Sequence, residues 1–188
     1  MTRFALRAAA LIVPLLAAGP ALAHGGHTEG FGAGLAHPLI GLDHLFAMLA
    51  IGIWAAQGGL PRPWALPACF LGGMAVGIGL GMVAAVPPLE QTVAGTLVVL
   101  GVMVALTARV RAGLAFPAAA LFGLVHGSVH GLEIGGAPLA TTLGMLLASA
   151  GLHALGFVAA RGLARRDMVV RASGAAIASV GVMLLVAG

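Results

Sequence analysis

Phe122-Gly123-Leu124-Val125-His126-Gly127-Ser128-Val129-His130-Gly131-Leu132-Glu133 lies inside an apolar run long enough to cross a bilayer. It carries two imidazoles and a carboxylate where each is costly to bury. On an α-helix His126 and His130 are i,i+4 and Glu133 follows three residues later. At about 100° per residue the three share one face within roughly 60°. A second polar group, His37, Asp43 and His44, lies in another apolar run. Ionisable residues inside a membrane point by default to function.

The surrounding chain is 61% hydrophobic and only 7% charged over 188 residues, with a mean hydropathy of +1.11. Soluble domains carry roughly a quarter charged residues, so this is an all-α, multi-pass membrane protein with room for one membrane domain. The formal charge of +4 would suggest a nucleic-acid partner in a soluble protein. Here every basic residue is an arginine in a short hydrophilic segment, so topology accounts for the charge and nucleic acid is excluded. The single cysteine, Cys69, has no intramolecular partner and reads as a small core residue.

Residues 1–23 read as a cleaved secretory signal peptide. Arg3 and Arg7 form the positive n-region, Ala8 to Leu16 the apolar stretch, and Ala21-Leu22-Ala23 the small-residue cleavage signal. The alternative is an uncleaved first helix; the apolar stretch is short for that, and Gly19-Pro20 interrupts it. After cleavage, residues 24–35 form a His-bearing external tail. His24 would then carry a free α-amine beside its imidazole, a bidentate chelate to which His27 and Glu29 add donors.

Residues 36–188 make up the six-helix membrane domain, with transmembrane helices near 36–57, 64–86, 89–108, 114–134, 139–160 and 169–187. Pro38, Pro117 and Pro138 are expected in first turns, where a missing N–H is harmless. With the tail outside, the first, third and fifth loops are cytoplasmic. These carry Arg62, Arg109, Arg111, Arg161, Arg165, Arg166 and Arg171, whereas the second and fourth hold Glu90 and Glu133. Gly73, Gly77 and Gly81 form one small-residue ridge, and Gly123, Gly127 and Gly131 another, each able to admit a close neighbour.

Depth joins the two polar groups. His44 lies about 10 Å inward of His37, and His126 about 10 Å inward of Glu133, at 1.5 Å per residue. Two antiparallel helices therefore present His37, His44, His126, His130 and Glu133 in the same outer half of the membrane. Asp43 points about 100° from His44 on an ideal helix. It ligates from a distorted turn near Gly41, or it accepts the N–H of a ligating imidazole. Met48 adds a thioether one turn beyond His44, and His153 falls deeper, toward the cytoplasm. Imidazoles with a few carboxylates suit Ni(II), Cu(II), Co(II) or Zn(II) rather than Mg or Ca.

These residues carry a family resemblance. His37-Pro38-x-x-Gly41-x-Asp43-His44-x-x-Ala47-Met48, with Phe122-Gly123-x-x-His126-Gly127-x-x-His130-Gly131-x-Glu133, resembles the HupE/UreJ family of bacterial nickel permeases. The resemblance implies uptake of Ni(II), in some members Co(II), across the inner membrane, commonly for hydrogenase or urease. Its polar motif positions correspond to His37, Asp43, His44, His126, His130 and Glu133. The mature N-terminus is then periplasmic. The metal ion is cargo rather than prosthetic group, membrane lipid is the other partner, and no enzymatic activity is expected. The chain has no Gly-x₄-Gly-Lys-[Ser/Thr] stretch for ATP, which makes the transport secondary. Capture by His24 and His27, transfer to the six-residue site and passage inward past His153 is the expected route. Because ligands must be deprotonated, uptake should fall at acid pH.

Two other classes compete with this reading. His126-x₃-His130 has the spacing of a zinc-hydrolase helix, but Gly127 stands where that class has its catalytic Glu. A metal sensor, or a partner subunit of a larger importer, would need a soluble surface that these short loops do not provide.

Overall fold

The computed structural model describes residues 30–84, 89–163 and 165–187. The expected signal peptide and the tail histidines His24 and His27 lie outside the described residues. Within them all regular structure is helical: α1 Phe31–Ile40, α2 Leu42–Gln57, α3 Ala65–Gly81, α4 Leu89–Ala105, α5 Ala112–Glu133, α6 Pro138–Gly162 and α7 Asp167–Ala187. Helices α5, α6 and α7, with 22, 25 and 21 residues, are each long and apolar enough to cross a membrane. Helices α3 and α4 are apolar but have 17 residues each.

The first expected span is not one helix. Its chain turns helical at Phe31, five residues early, stops at Ile40, and restarts at Leu42 after a bend of 85°. The break is Gly41, whose backbone is extended (φ −78°, ψ 119°). A glycine has a weak preference for the helix, and here a side chain would be in the way. A Cβ at position 41 would stand 2.9 Å from Asp43 Oδ1 and 3.2 Å from His44 Nδ1. Only Pro138 opens a helix as expected. Pro38 and Pro117 fall inside α1 and α5, because both helices begin earlier than their apolar runs suggest.

Close backbone contact between glycines holds the bundle together. The two expected ridges pack on each other. Added Cβ atoms at Gly73, Gly77 and Gly81 of α3 would collide with the carbonyl oxygens of Ala120, Leu124 and Ser128. Those at Gly123, Gly127 and Gly131 of α5 would collide with the carbonyls of Phe70, Met74 and Ile78. The same device pairs Gly101 of α4 with Gly174 of α7, Gly52 of α2 with Gly156 of α6, and Gly34 of α1 with Gly144 of α6. In lipid, association rests on such packing because burial from water supplies no drive. Inserting a methyl into such a contact costs about 1–3 kcal/mol.

The helix pairs leave the molecule with two chemically distinct ends. His37, Glu90 and Glu133 share a cavity at one end. Gln57, Thr107, Arg161, Asp167 and Arg171 share a cavity at the other. Between them lies a core that includes Met48, Trp54, Phe70 and Met74, all at most 1% exposed.

Candidate metal centre

Helices α1, α2 and α5 bring the six motif residues together. The unbroken α5 stacks His126 under His130 and places Glu133 one turn further on. The bend between α1 and α2 delivers His37 and His44 from either side of Gly41. His130 is the hub. Its ring centroid is 4.6 Å from that of His37 and 4.1 Å from that of His44. His44 in turn is 5.3 Å from His126. Four imidazoles thus form one contiguous series, from the half-buried His37 to the fully buried His126.

The carboxylates sit beside this series. Glu133 Oε2 is 3.2 Å from His37 Nε2 and 3.6 Å from His130 Nδ1. His37, His130 and Glu133 offer donor atoms that all lie within 4.8 Å of one another, close enough to share a metal ion. Asp43 Oδ1 lies 2.9 Å from His44 Nδ1 and accepts the His44 backbone N–H at 2.9 Å. Of the two arrangements open to Asp43, the contact present is the one with the His44 ring. The break at Gly41 makes it possible: Asp43 is the second residue of a new helix, and its carboxylate curls onto the next residue. A carboxylate in a first turn also complements the helix dipole.

These contacts fix which ring nitrogens are free. A carbonyl oxygen can only accept, so His126 Nδ1–H donates to Phe122 O (2.8 Å) and Nε2 keeps its lone pair. An ionised Asp43 accepts from His44 Nδ1–H in the same way, leaving His44 Nε2 as the lone-pair atom. Both Nε2 atoms, and both ring nitrogens of His130, are buried with no hydrogen-bond partner among the described residues. A buried unsatisfied polar atom costs about 1–3 kcal/mol. Grouping several of them is poor design for a bundle, and suitable for a site that awaits an electron-pair acceptor. A hydrogen bond to the far nitrogen is how proteins orient imidazole ligands.

A half-open cavity of about 530 Å³ leads to the cluster. His37, Asp43, His44 and Glu133 line it, together with Glu90 and Gln91 from the first turn of α4. In the sequence Glu90 reads only as a topological marker. Its position in an external loop was the available signal, but nothing in its spacing connects α4 to the bend.

His153 does not join the cluster. Its Nδ1–H donates to Met48 O at 2.7 Å. Its ring lies 5.2 Å from that of Phe70, which is 5.5 Å from His126 on the other side. Met48 is fully buried in the core, tied to His153 by its carbonyl.

Comparison with known proteins gives the family. The family described as HupE / UreJ protein matches residues 11–184. Protein HupE of Rhizobium leguminosarum bv. viciae is 38% identical over 175 residues, covering 89% of this chain and 92% of that relative. No solved structure gives a significant match. With its long apolar helices and a match over nearly its whole length, the chain is a membrane protein that belongs to the HupE/UreJ family.

Proposed function

We propose that this protein is a secondary transporter that imports divalent transition metal, Ni(II) first and Co(II) second, across the bacterial inner membrane. The cargo supplies nickel enzymes such as hydrogenase or urease. On this reading the signal peptide is cleaved and the mature N-terminus is periplasmic. Six spans then follow, with α1 and α2 forming the first as a broken one. His37, Asp43, His44, His126, His130 and Glu133 form the uptake site, and His24 and His27 feed it.

The observation that carries the proposal is the set of unpartnered nitrogens on His44, His126 and His130 behind a carboxylate-lined mouth. Neutral imidazoles can be buried where charges cannot, and they suit late divalent metals over Mg and Ca. Asp43 and Glu133 offset the cation's charge. The bend at Gly41 fits as well, since transporters place broken helices where backbone lines a cavity. Bound cargo must also leave, so the ion engages a subset of these donors at any one time.

The test is radiolabelled nickel accumulation in cells lacking high-affinity nickel uptake, with and without expression of the chain and with cobalt or zinc as competitors. Expression should raise accumulation, and cobalt should compete. His44→Ala or His130→Ala should return uptake to background with the protein still in the membrane. Accumulation that expression leaves unchanged would overturn the reading.

A further inference from the structure

We infer that His153 is a second, inner donor for the transported cation, separate from the outer cluster and lying beyond the Phe70 ring. The inference rests on the transport reading above and adds a second station to it.

His153 is 2% exposed and packs against α2 and α3, at the edge of an apolar cavity that Trp64, Pro67 and Phe157 also line. Donation from Nδ1–H to the Met48 carbonyl fixes its tautomer, so Nε2 carries the lone pair. That Nε2 is buried with no hydrogen-bond partner among the described residues. A side chain needed only to tie α6 to α2 requires a donor and nothing else, as an indole N–H would supply. The imidazole adds an orphaned acceptor, a cost that a purely structural tie has no reason to carry. The same pattern marks His126: one nitrogen tied to a carbonyl, the other free and buried.

The neighbouring residues are of a kind that late transition metals accept. One turn before His153, the fully buried Ser149 donates its hydroxyl to Met74 Sδ at 3.8 Å. Phe70 and Met74 are i,i+4 on α3, as Ser149 and His153 are on α6. The pairs Phe70–His153 and Met74–Ser149 are therefore successive rungs between the two helices. A thioether and an imidazole are both soft or borderline donors. Continuing along α6, Arg161 lies about 12 Å further on at 1.5 Å per residue and lines the cavity at the opposite end. His153 thus stands between the outer cluster and the inner cavity, with the Phe70 ring separating it from His126.

Two substitutions separate a donor from a structural tie. His153→Asn retains a side-chain N–H for the Met48 carbonyl and replaces the imidazole nitrogen with an amide oxygen, a poorer donor for late divalent metals. His153→Cys loses that hydrogen bond and keeps a metal donor. Binding of Ni(II) to the purified full-length protein is followed by equilibrium dialysis, and transport by nickel uptake. The wild type should bind in a tight and a weaker class. His153→Asn should lose the weaker class and keep the tight one, with maximal uptake lowered at least about tenfold and KM unchanged. His153→Cys should retain more of the weaker class than His153→Asn. If His153→Asn binds and transports like the wild type, or outperforms His153→Cys, the residue is a tie and the inference is wrong. His44→Ala is the separate control. Intact uptake in that variant would overturn the outer-site reading, whatever the His153 variants do.

Discussion

The two ends of the bundle are built from the same glycine-packed helices and hold opposite chemistry. At one end a cavity of about 530 Å³ offers His37, His44, Asp43, Glu90 and Glu133, and its lining includes no arginine among the described residues. At the other, a cavity of about 340 Å³ offers Gln57, Thr107 and Asp167 beside the guanidiniums of Arg161 and Arg171, with no imidazole in its lining among the described residues. The first end also invests in orientation: Asp43 holds the His44 ring, and the Phe122 carbonyl holds that of His126. On the proposed reading the first end attracts and coordinates a cation, while the second sets one carboxylate, Asp167, and neutral oxygens against two guanidiniums. The difference suggests a route along which affinity falls, which a transporter needs if its cargo is to be released.

The same chemical change made at each end should therefore have unequal effects. Asp43→Asn removes the carboxylate that orients His44 and part of the charge that offsets the metal. Losing such an orienting partner typically costs 10–100-fold in metal affinity, so KM for nickel uptake should rise by about that range. A KM within twofold of the wild type would show that the Asp43–His44 contact is dispensable, and would remove the contrast between the ends. Asp167→Asn at the arginine-bearing end should change uptake by less than about twofold. Its main effect should be a slight loss of thermal stability, because Asp167 lies in the first turn of α7, where an acidic side chain contributes about 0.3–1 kcal/mol. A larger transport defect from Asp167→Asn than from Asp43→Asn would reverse the assignment of the ends.

Much of the outer end is legible in the residues themselves. The i,i+4 spacing of His126 and His130, with Glu133 one turn on, puts three polar groups on one face of any helix drawn through them. Matched depth along straight antiparallel helices pairs them with His37 and His44; the rings do lie together, but across the 85° bend at Gly41 rather than along one straight helix. The glycine ridges of α3 and α5 also stand out at a four-residue period. What sequence does not reveal is that these ridges meet each other, since a ridge specifies a close neighbour and not which one. The bend at Gly41 is hidden for a related reason. A glycine in an apolar run looks the same whether the helix continues or breaks. The outcome depends on α1 docking against α6, where Gly34 and Gly144 meet. Assuming a straight helix there turns Asp43 away from the histidines, and the break turns it back onto His44. Glu90, Gln91 and Phe70 reach their places only through tertiary packing, and no local spacing announces them.

The central claim is that the buried, unpartnered imidazole nitrogens of α2 and α5 bind the transported metal. X-ray absorption at the nickel edge, on purified protein loaded with substoichiometric Ni(II), tests it most directly. Nitrogen and oxygen neighbours with the outer-shell scattering of more than one imidazole are expected, reduced in His130→Ala. A shell of oxygen alone, without imidazole scattering and unchanged by His130→Ala, would contradict it.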